Sequence, residues 1–265
     1  MVQSLLQNNP KSKVLKPGYI NTYSELNTKE QRQLEYKIRY KSEVPSWDET
    51  MVYLSNYFRE YAVDNCVVLD AGCGNGNYVI DENRKKISWA VGIDAAEEHI
   101  SKNICLDEKH IGDLTSLPFE NESFDVVISL WVLEHLAFPS KVFGEIHRVL
   151  KHGGLFMFAT PNKNYLPLVI TKMLGNSGLN NFVNQRLYGR KEEDIFKTLY
   201  LANTKKSIWA LSDSFYIKEL RYNFDPSYTS FNNITYATTK ILADVTHSLG
   251  LTFWDAHIVG VLEKR

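Results

Sequence analysis

The chain has 265 residues, 44% of them hydrophobic and 23% charged, an ordinary composition for one globular α/β domain with a helical addition. Its 30 Lys and Arg against 31 Asp and Glu leave a formal charge of −1, so nucleic acid is not the expected partner, although a local basic patch stays open. No apolar run reaches the ~18 residues of a membrane-spanning helix, and the first residues lack the apolar core of a secretory signal.

Residues 1–20 are polar, contain Pro10 and Pro17, and are expected to form a loose tail. From Thr22 to about Glu60 the pattern becomes helical. Ser24, Asn27 and Thr28 offer N-caps, and Leu34, Ile38, Met51, Leu54 and Phe58 recur at helical intervals. This lead-in is placed to cover the mouth of the following domain.

Four short apolar runs then appear: 66–72, 88–94, 124–130 and 153–160. Uninterrupted apolar runs belong to strands buried on both faces, as in a parallel sheet covered by helices. Between the last two, Val142, Phe143, Ile146, Val149 and Leu150 share one helical face over 140–150, ended by His152-Gly153-Gly154. The alternation predicts right-handed crossovers and a doubly wound sheet. Residues 161–202 break the rhythm with Asn, Gly and aromatics and are expected to be an insertion or cap. A helix at 203–212, a strand at 216–223, a helix at 232–248 and a closing strand at 252–262 follow. The expected organisation is a tail and lead-in over 1–60 and an α/β domain over 61–265.

The chemistry concentrates in Asp70-Ala71-Gly72-Cys73-Gly74-Asn75-Gly76, a glycine loop fed by a buried strand. Glycine lets a ligand lie against the backbone, and open α/β sheets bind ligands at this end of their strands. A bare glycine loop is equally often only a turn; two acids change that weighing. Asp94 ends the second strand, where a carboxylate can accept from both hydroxyls of an adenosine ribose. Asp113 precedes Leu114, placing an acceptor for the adenine amino group beside an apolar residue for its ring. The dinucleotide pattern G-x-G-x-x-G would need a glycine where Asn77 stands, and a pyrophosphate needs a helix amino terminus. S-adenosylmethionine (SAM) carries no phosphate, and its ammonium is favoured by an acid such as Asp70. Cys66 and Cys73 flank the buried first strand and are expected to pack. With Cys105 they make three cysteines without zinc-type spacing, which fits a reduced, cytoplasmic interior.

With these residues in view, the chain resembles class I SAM-dependent methyltransferases, especially the branch that holds the ubiquinone-biosynthesis O-methyltransferases. The segments concerned are 70–76, 92–94, 112–119, 124–136 and 147–162. The resemblance implies a Rossmann-like, seven-stranded, mostly parallel sheet with helices on both faces and an antiparallel closing pair. It implies SAM as methyl donor, S-adenosylhomocysteine as product and no metal. It also places Asp70, Gly72, Cys73, Gly74, Gly76, Asp94, Asp113, Leu114, Ser129 and Trp131 on the cofactor side. The segment after Gly76 departs from the family, being short and polar where an amphipathic helix is usual.

His135, after the fourth strand, is the candidate general base, against the reading that it only caps or packs; Glu134 is expected to be structural. Trp131 either faces the cofactor or lies in the core. Tyr165, Phe182, Tyr188, Tyr200 and Trp209 either line an acceptor pocket or hold the cap together. The apolar stretch 165–174 is either a cap helix or a membrane-surface contact. The expected acceptor is a small molecule, with glycan, lipid-linked and phenolic compounds first to test. An NAD-dependent oxidoreductase and a non-catalytic SAM-binding protein are the alternatives.

Overall fold

The computed structural model describes residues 28–174 and 198–265. The expectations for the tail, for the caps at Ser24 and Asn27, and for Phe182 and Tyr188 lie outside these residues. The lead-in is two helices, α1 (Thr28–Glu43) and α2 (Thr50–Tyr61), parted at Pro45, whose ring cannot donate to a helix ladder. The rest runs β1 (Cys66–Ala71), α3 (Tyr78–Glu82), β2 (Ile87–Asp94), α4 (Glu97–Lys102), β3 (Glu108–Ile111), β4 (Phe124–Leu130), α5 (Pro139–Val149), β5 (Leu150–Pro161), α6 (Leu166–Leu174), α7 (Lys205–Leu211), β6 (Phe215–Asn223), α8 (Asn233–Ser248) and β7 (His257–Lys264).

Seven strands form one sheet in the order β3-β2-β1-β4-β5-β7-β6. Neighbours are parallel from β3 to β5, and β7 lies antiparallel between β5 and β6. Alternate residues of each strand feed opposite layers. Leu69, Val91, Val127, Phe156 and Phe158 face one core with Val142, Phe143, Ile146 and Val149 of α5. Val68, Ala90, Val126, Ile128 and Met157 face the other, with Leu54 and Phe58 of α2 and Val79 and Ile80 of α3. Both faces are therefore covered, which is why these strands read as unbroken apolar runs.

Three expectations need correction. β3 gave no apolar signal, because Glu-Lys-His-Ile is a short, largely exposed edge strand. The closing strand starts at His257 rather than Thr252. The turn at Gly153 does not separate α5 from β5, since the strand begins directly at Leu150. There Phe124 pairs with Leu150 and Val126 with Leu155, so the chain bulges through Gly153, whose φ is +71°.

The described residues divide into two compact units. The sheet unit holds residues 50–164, 198–223 and 256–265; the helical unit holds 28–49, 165–174 and 224–255. The first cut between the units falls at 49/50, because α2 buries its apolar face in the sheet's own core. In the helical unit Tyr40, Trp47, Phe224, Tyr236 and Ala243 pack together, and the Trp47 indole N–H donates to the Phe224 carbonyl at 2.9 Å. The Lys37 ammonium lies 2.8 Å from Glu49 and 3.2 Å from Asp225, and these two carboxylates raise its pKa against the opposing effect of burial.

Candidate active site

The strand order reverses between β1 and β4, the switch point at which open α/β sheets leave a crevice. The glycine loop leaves β1 there. Gly72 and Gly74 adopt φ of +79° and +47°, a region that L side chains enter only with strain. A Cβ at Gly72 would collide with Val132, whereas nothing stands within 4 Å of the one that Gly74 lacks. The loop is pinned from below, because the amides of Gly72 and Cys73 donate to the Ile93 carbonyl at 2.8 and 3.2 Å.

Asp94 clamps the loop. Its Oδ2 accepts from the Gly74 amide and its Oδ1 from the Ala96 amide, each at 2.8 Å. Each oxygen keeps a second lone pair, so the carboxylate can still accept from ligand hydroxyls. Gly76 approaches only the Cys105 sulfur, at ordinary contact distance. Sequence reasoning missed Asn103. It is fully buried, donates to the carbonyls of Cys73 and Gly74 at 3.1 and 3.3 Å, and accepts from the Cys105 amide at 3.1 Å. Its only sequence signal was a polar residue just past a helix. Asn77, noted before only as a missing glycine, caps α3 by accepting from the amides of Val79 and Ile80. α3 has five residues, so the short first crossover inferred from 77–86 is present.

Asp70 is buried on β1, and its Oδ2 has no hydrogen-bond partner among the described residues. Burial pushes its pKa up to about 7; Asp94 adds to the rise and the Asn77 side chain opposes it. Burial likewise raises the thiols of Cys66, to about 11, and of Cys73, and all three cysteines are free. These thiols pack rather than react.

β3 delivers Asp113 to the same edge, tied through the Gly112 amide, which donates to the Asp94 carbonyl at 3.0 Å. Asp113 is exposed and its Oδ1 accepts from the Thr115 amide at 2.8 Å, while Leu114 is half-buried against the core. Ser129 joins the two halves of the crevice differently from expectation. Its buried hydroxyl donates to the Ala71 carbonyl at 2.8 Å, so its proton is committed to tethering β4 to β1.

Beyond β4 the chain turns sharply. Trp131 has φ +61°, its amide donates to the Ala159 carbonyl at 2.9 Å, and its ring meets His257 edge-on at 4.7 Å. It is half-buried against the α2 side of the core, between the two positions weighed for it. A 3₁₀ turn, Leu133–His135, follows. His135 is half-exposed, with Nε2 3.9 Å from Glu134 Oε1. Glu134 is buried; the Thr160 hydroxyl donates to its Oε2 at 3.1 Å, and the Asn203 amide donates to that hydroxyl at 2.6 Å. The Glu134 carbonyl accepts from the amides of Leu199 and Tyr200 at 2.7 and 3.1 Å. The insertion is thus stitched back to the end of β4. Of the aromatics described, Tyr200 is buried in the sheet unit. Tyr165 is buried in the helical unit beside Tyr228 and Trp254. Trp209 is 67% exposed on α7 and does not line an enclosed pocket. Among the described residues no group of three or more His, Cys, Asp or Glu could hold a metal ion, and no helix is long and apolar enough to cross a membrane.

Fold and loop together define a Rossmann-like α/β domain whose crevice is walled by carboxylates. Comparison with known proteins makes the class specific. Residues 69–158 match the family described as "Methyltransferase domain". The chain is 36% identical over 100 residues to a probable S-adenosylmethionine-dependent methyltransferase of Mycolicibacterium smegmatis, a match covering 36% of this chain and 38% of that one. It is 32% identical over 121 residues to a mitochondrial ubiquinone biosynthesis O-methyltransferase of Candida albicans, covering 41% and 36%. Among solved structures, a putative sarcosine dimethylglycine methyltransferase from Galdieria sulphuraria superposes with a TM-score of 0.54 at 15% identity, over 81% and 85% of the two chains. The chain spans less than two-fifths of the length of these two curated relatives. Residues 69–158 thus resemble the methyltransferase domain of these proteins and lie on the sheet that bears the glycine loop.

Proposed function

We propose that this chain transfers the methyl group of SAM to an oxygen of a small molecule and releases S-adenosylhomocysteine. The observation that carries the reading is the pairing of an open glycine loop with a buried, partnerless Asp70 oxygen and a strand-end Asp94 that keeps acceptor capacity. These residues fit a phosphate-free nucleoside bearing an ammonium group. The bound cofactor supplies a methyl on cationic sulfur, an electrophile that needs little further activation.

In this reading Asp94 accepts from the ribose hydroxyls, Asp113 from the adenine amino group, and Leu114 packs on the ring. Asp70 holds the ammonium and stays ionised once that charge is beside it. Trp131, fixed in its left-handed turn, and the backbone of Gly72–Gly76 shape the wall. The protein's remaining task is to align an acceptor and exclude water. His135 takes the acceptor's proton, with Glu134 within 3.9 Å to orient it. Relatives named as O-methyltransferases favour oxygen over nitrogen or carbon, and phenolic, glycan and lipid-linked alcohols form the acceptor panel. Three free thiols favour a cytoplasmic setting.

Calorimetry with SAM, S-adenosylhomocysteine and NAD tests the cofactor. Binding of NAD alone would replace this proposal with an oxidoreductase. Methyl transfer from labelled SAM to the panel then tests catalysis, and a chain that binds SAM but labels nothing is a binding protein instead. A His135→Ala variant with full turnover at saturating acceptor would remove His135 from the mechanism.

A further inference from the structure

The last helix of the helical unit is amphipathic in the wrong sense. α8 buries Tyr236, Thr239, Ala243 and Thr246, three of which are small. It turns Ile234 (78% exposed), Ile241 (62%), Val245 and Leu249 (67%) outward, with Leu242 beside them. A surface helix ordinarily does the reverse. At 100° per residue the four main positions fall within about 80° of arc, a narrow seam that suits one opposing helix. These five residues leave roughly 550 Å² of mainly apolar surface bare, against the ~800 Å² that each partner contributes to a standard interface. A contiguous patch of that size is large for an isolated monomer and often functional.

We propose that this stripe is a homodimer surface, on which α8 of a second copy lies antiparallel across a two-fold axis near Ile241. A two-fold contact uses one patch twice, and an uncharged apolar stripe complements itself. The stripe runs from Ile234 to Leu249, so its midpoint falls between Ile241 and Leu242. Ile234 then meets Leu249 of the partner subunit, and Ile241 lies next to its own copy. A lipid surface is the less suited occupant. Helices that lie in a membrane interface carry Lys and Arg along their polar face, whereas α8 has one lysine, Lys240, already paired with Glu43 at 2.6 Å. The inference does not rest on the methyltransferase reading.

The full chain is tested by sedimentation equilibrium under reducing conditions from about 1 to about 100 µM, at and above the weak, micromolar end for an interface of standard size. The expected mass is twice 30.5 kDa at the upper end. Ile241→Glu combined with Val245→Glu should give the single mass with an unchanged melting temperature and unchanged S-adenosylhomocysteine affinity. Ile241→Cys should oxidise to a covalent dimer. Ile234→Cys should not, because two-fold geometry holds it about 20 Å from its copy. Wild-type protein that stays at single mass at 100 µM overturns the proposal. If that monomer floats with phosphatidylcholine vesicles, the stripe is a lipid contact. If instead the double variant lowers its melting temperature, the chain covers the stripe with its own residues. A dimer that survives the double variant, or that cross-links equally through Ile234→Cys, also overturns it.

Discussion

The two sides of the crevice are built by different means. On the β1–β2 side the polar contacts converge on the backbone of one glycine loop: the Gly72 and Cys73 amides to Ile93, the Gly74 amide to Asp94, and the Cys73 and Gly74 carbonyls to the Asn103 side chain. On the β4–β5 side they run between side chains distant in sequence, from Asn203 to Thr160 to Glu134, with the chain near Tyr200 folded back on Glu134. The first side grips one short contiguous loop whose turns follow from its glycines. The second exists only after the insertion has returned. Under the proposed function the cofactor would meet the first side and the acceptor the second.

Substitutions can break this contrast, beginning with the largest effect. Gly72→Ala puts a methyl into Val132 at a positive φ and should cost about 3 kcal/mol of stability, read by urea denaturation. Gly74→Ala, with open space around it, should cost only about 1 kcal/mol and weaken S-adenosylhomocysteine binding at least tenfold. Equal destabilisation of the two would mean that the loop has no ligand-facing side. Across the crevice, Thr160→Val removes one hydrogen bond from each of Glu134 and Asn203 and should cost about 2 kcal/mol while leaving cofactor affinity within about threefold of wild type. A large affinity loss there would merge the two sides.

Asp70 supplies a pH test of the cofactor side. Its folded pKa of about 7 lies above the ordinary 3.8, so the native state holds a proton that the unfolded chain releases. Stability of the unliganded chain should therefore fall as pH rises from about 4 to 7, and Asp70→Asn should remove that slope. Binding of the ammonium-bearing product needs the ionised form, so its affinity should rise about tenfold between pH 6 and 8 in wild type and stay flat in Asp70→Asn. The smallest effect lies in the helical unit. The His247–Asp255 hydrogen bond raises the His247 pKa, so its contribution is complete below the ordinary value of 6.5 and fades as pH climbs through the raised one. The ring is 41% exposed, so His247→Gln should cost under about 1 kcal/mol at pH 5.5 and nothing measurable at pH 9.

What could be read in advance follows the same contrast. The strands at 66, 88 and 124 stood out because both their faces are buried, and the glycine loop because positive φ leaves few other residues available. β3 was silent because edge strands avoid apolar runs. The tether from Ser129 to the Ala71 carbonyl was not legible, because that partner is 58 positions away and carries no side-chain signature. Asn103 and the Glu134–Thr160–Asn203 chain were invisible for the same reason. α8 was read correctly as a helix, but periodicity alone does not say which face turns inward.

Calorimetric titration of S-adenosylhomocysteine into wild type and Asp94→Ala bears most directly on the cofactor site. Micromolar binding that weakens at least a hundredfold in the variant, while the variant's circular dichroism stays native, is the predicted result. An unchanged dissociation constant in Asp94→Ala, or no heat with wild type, would contradict it.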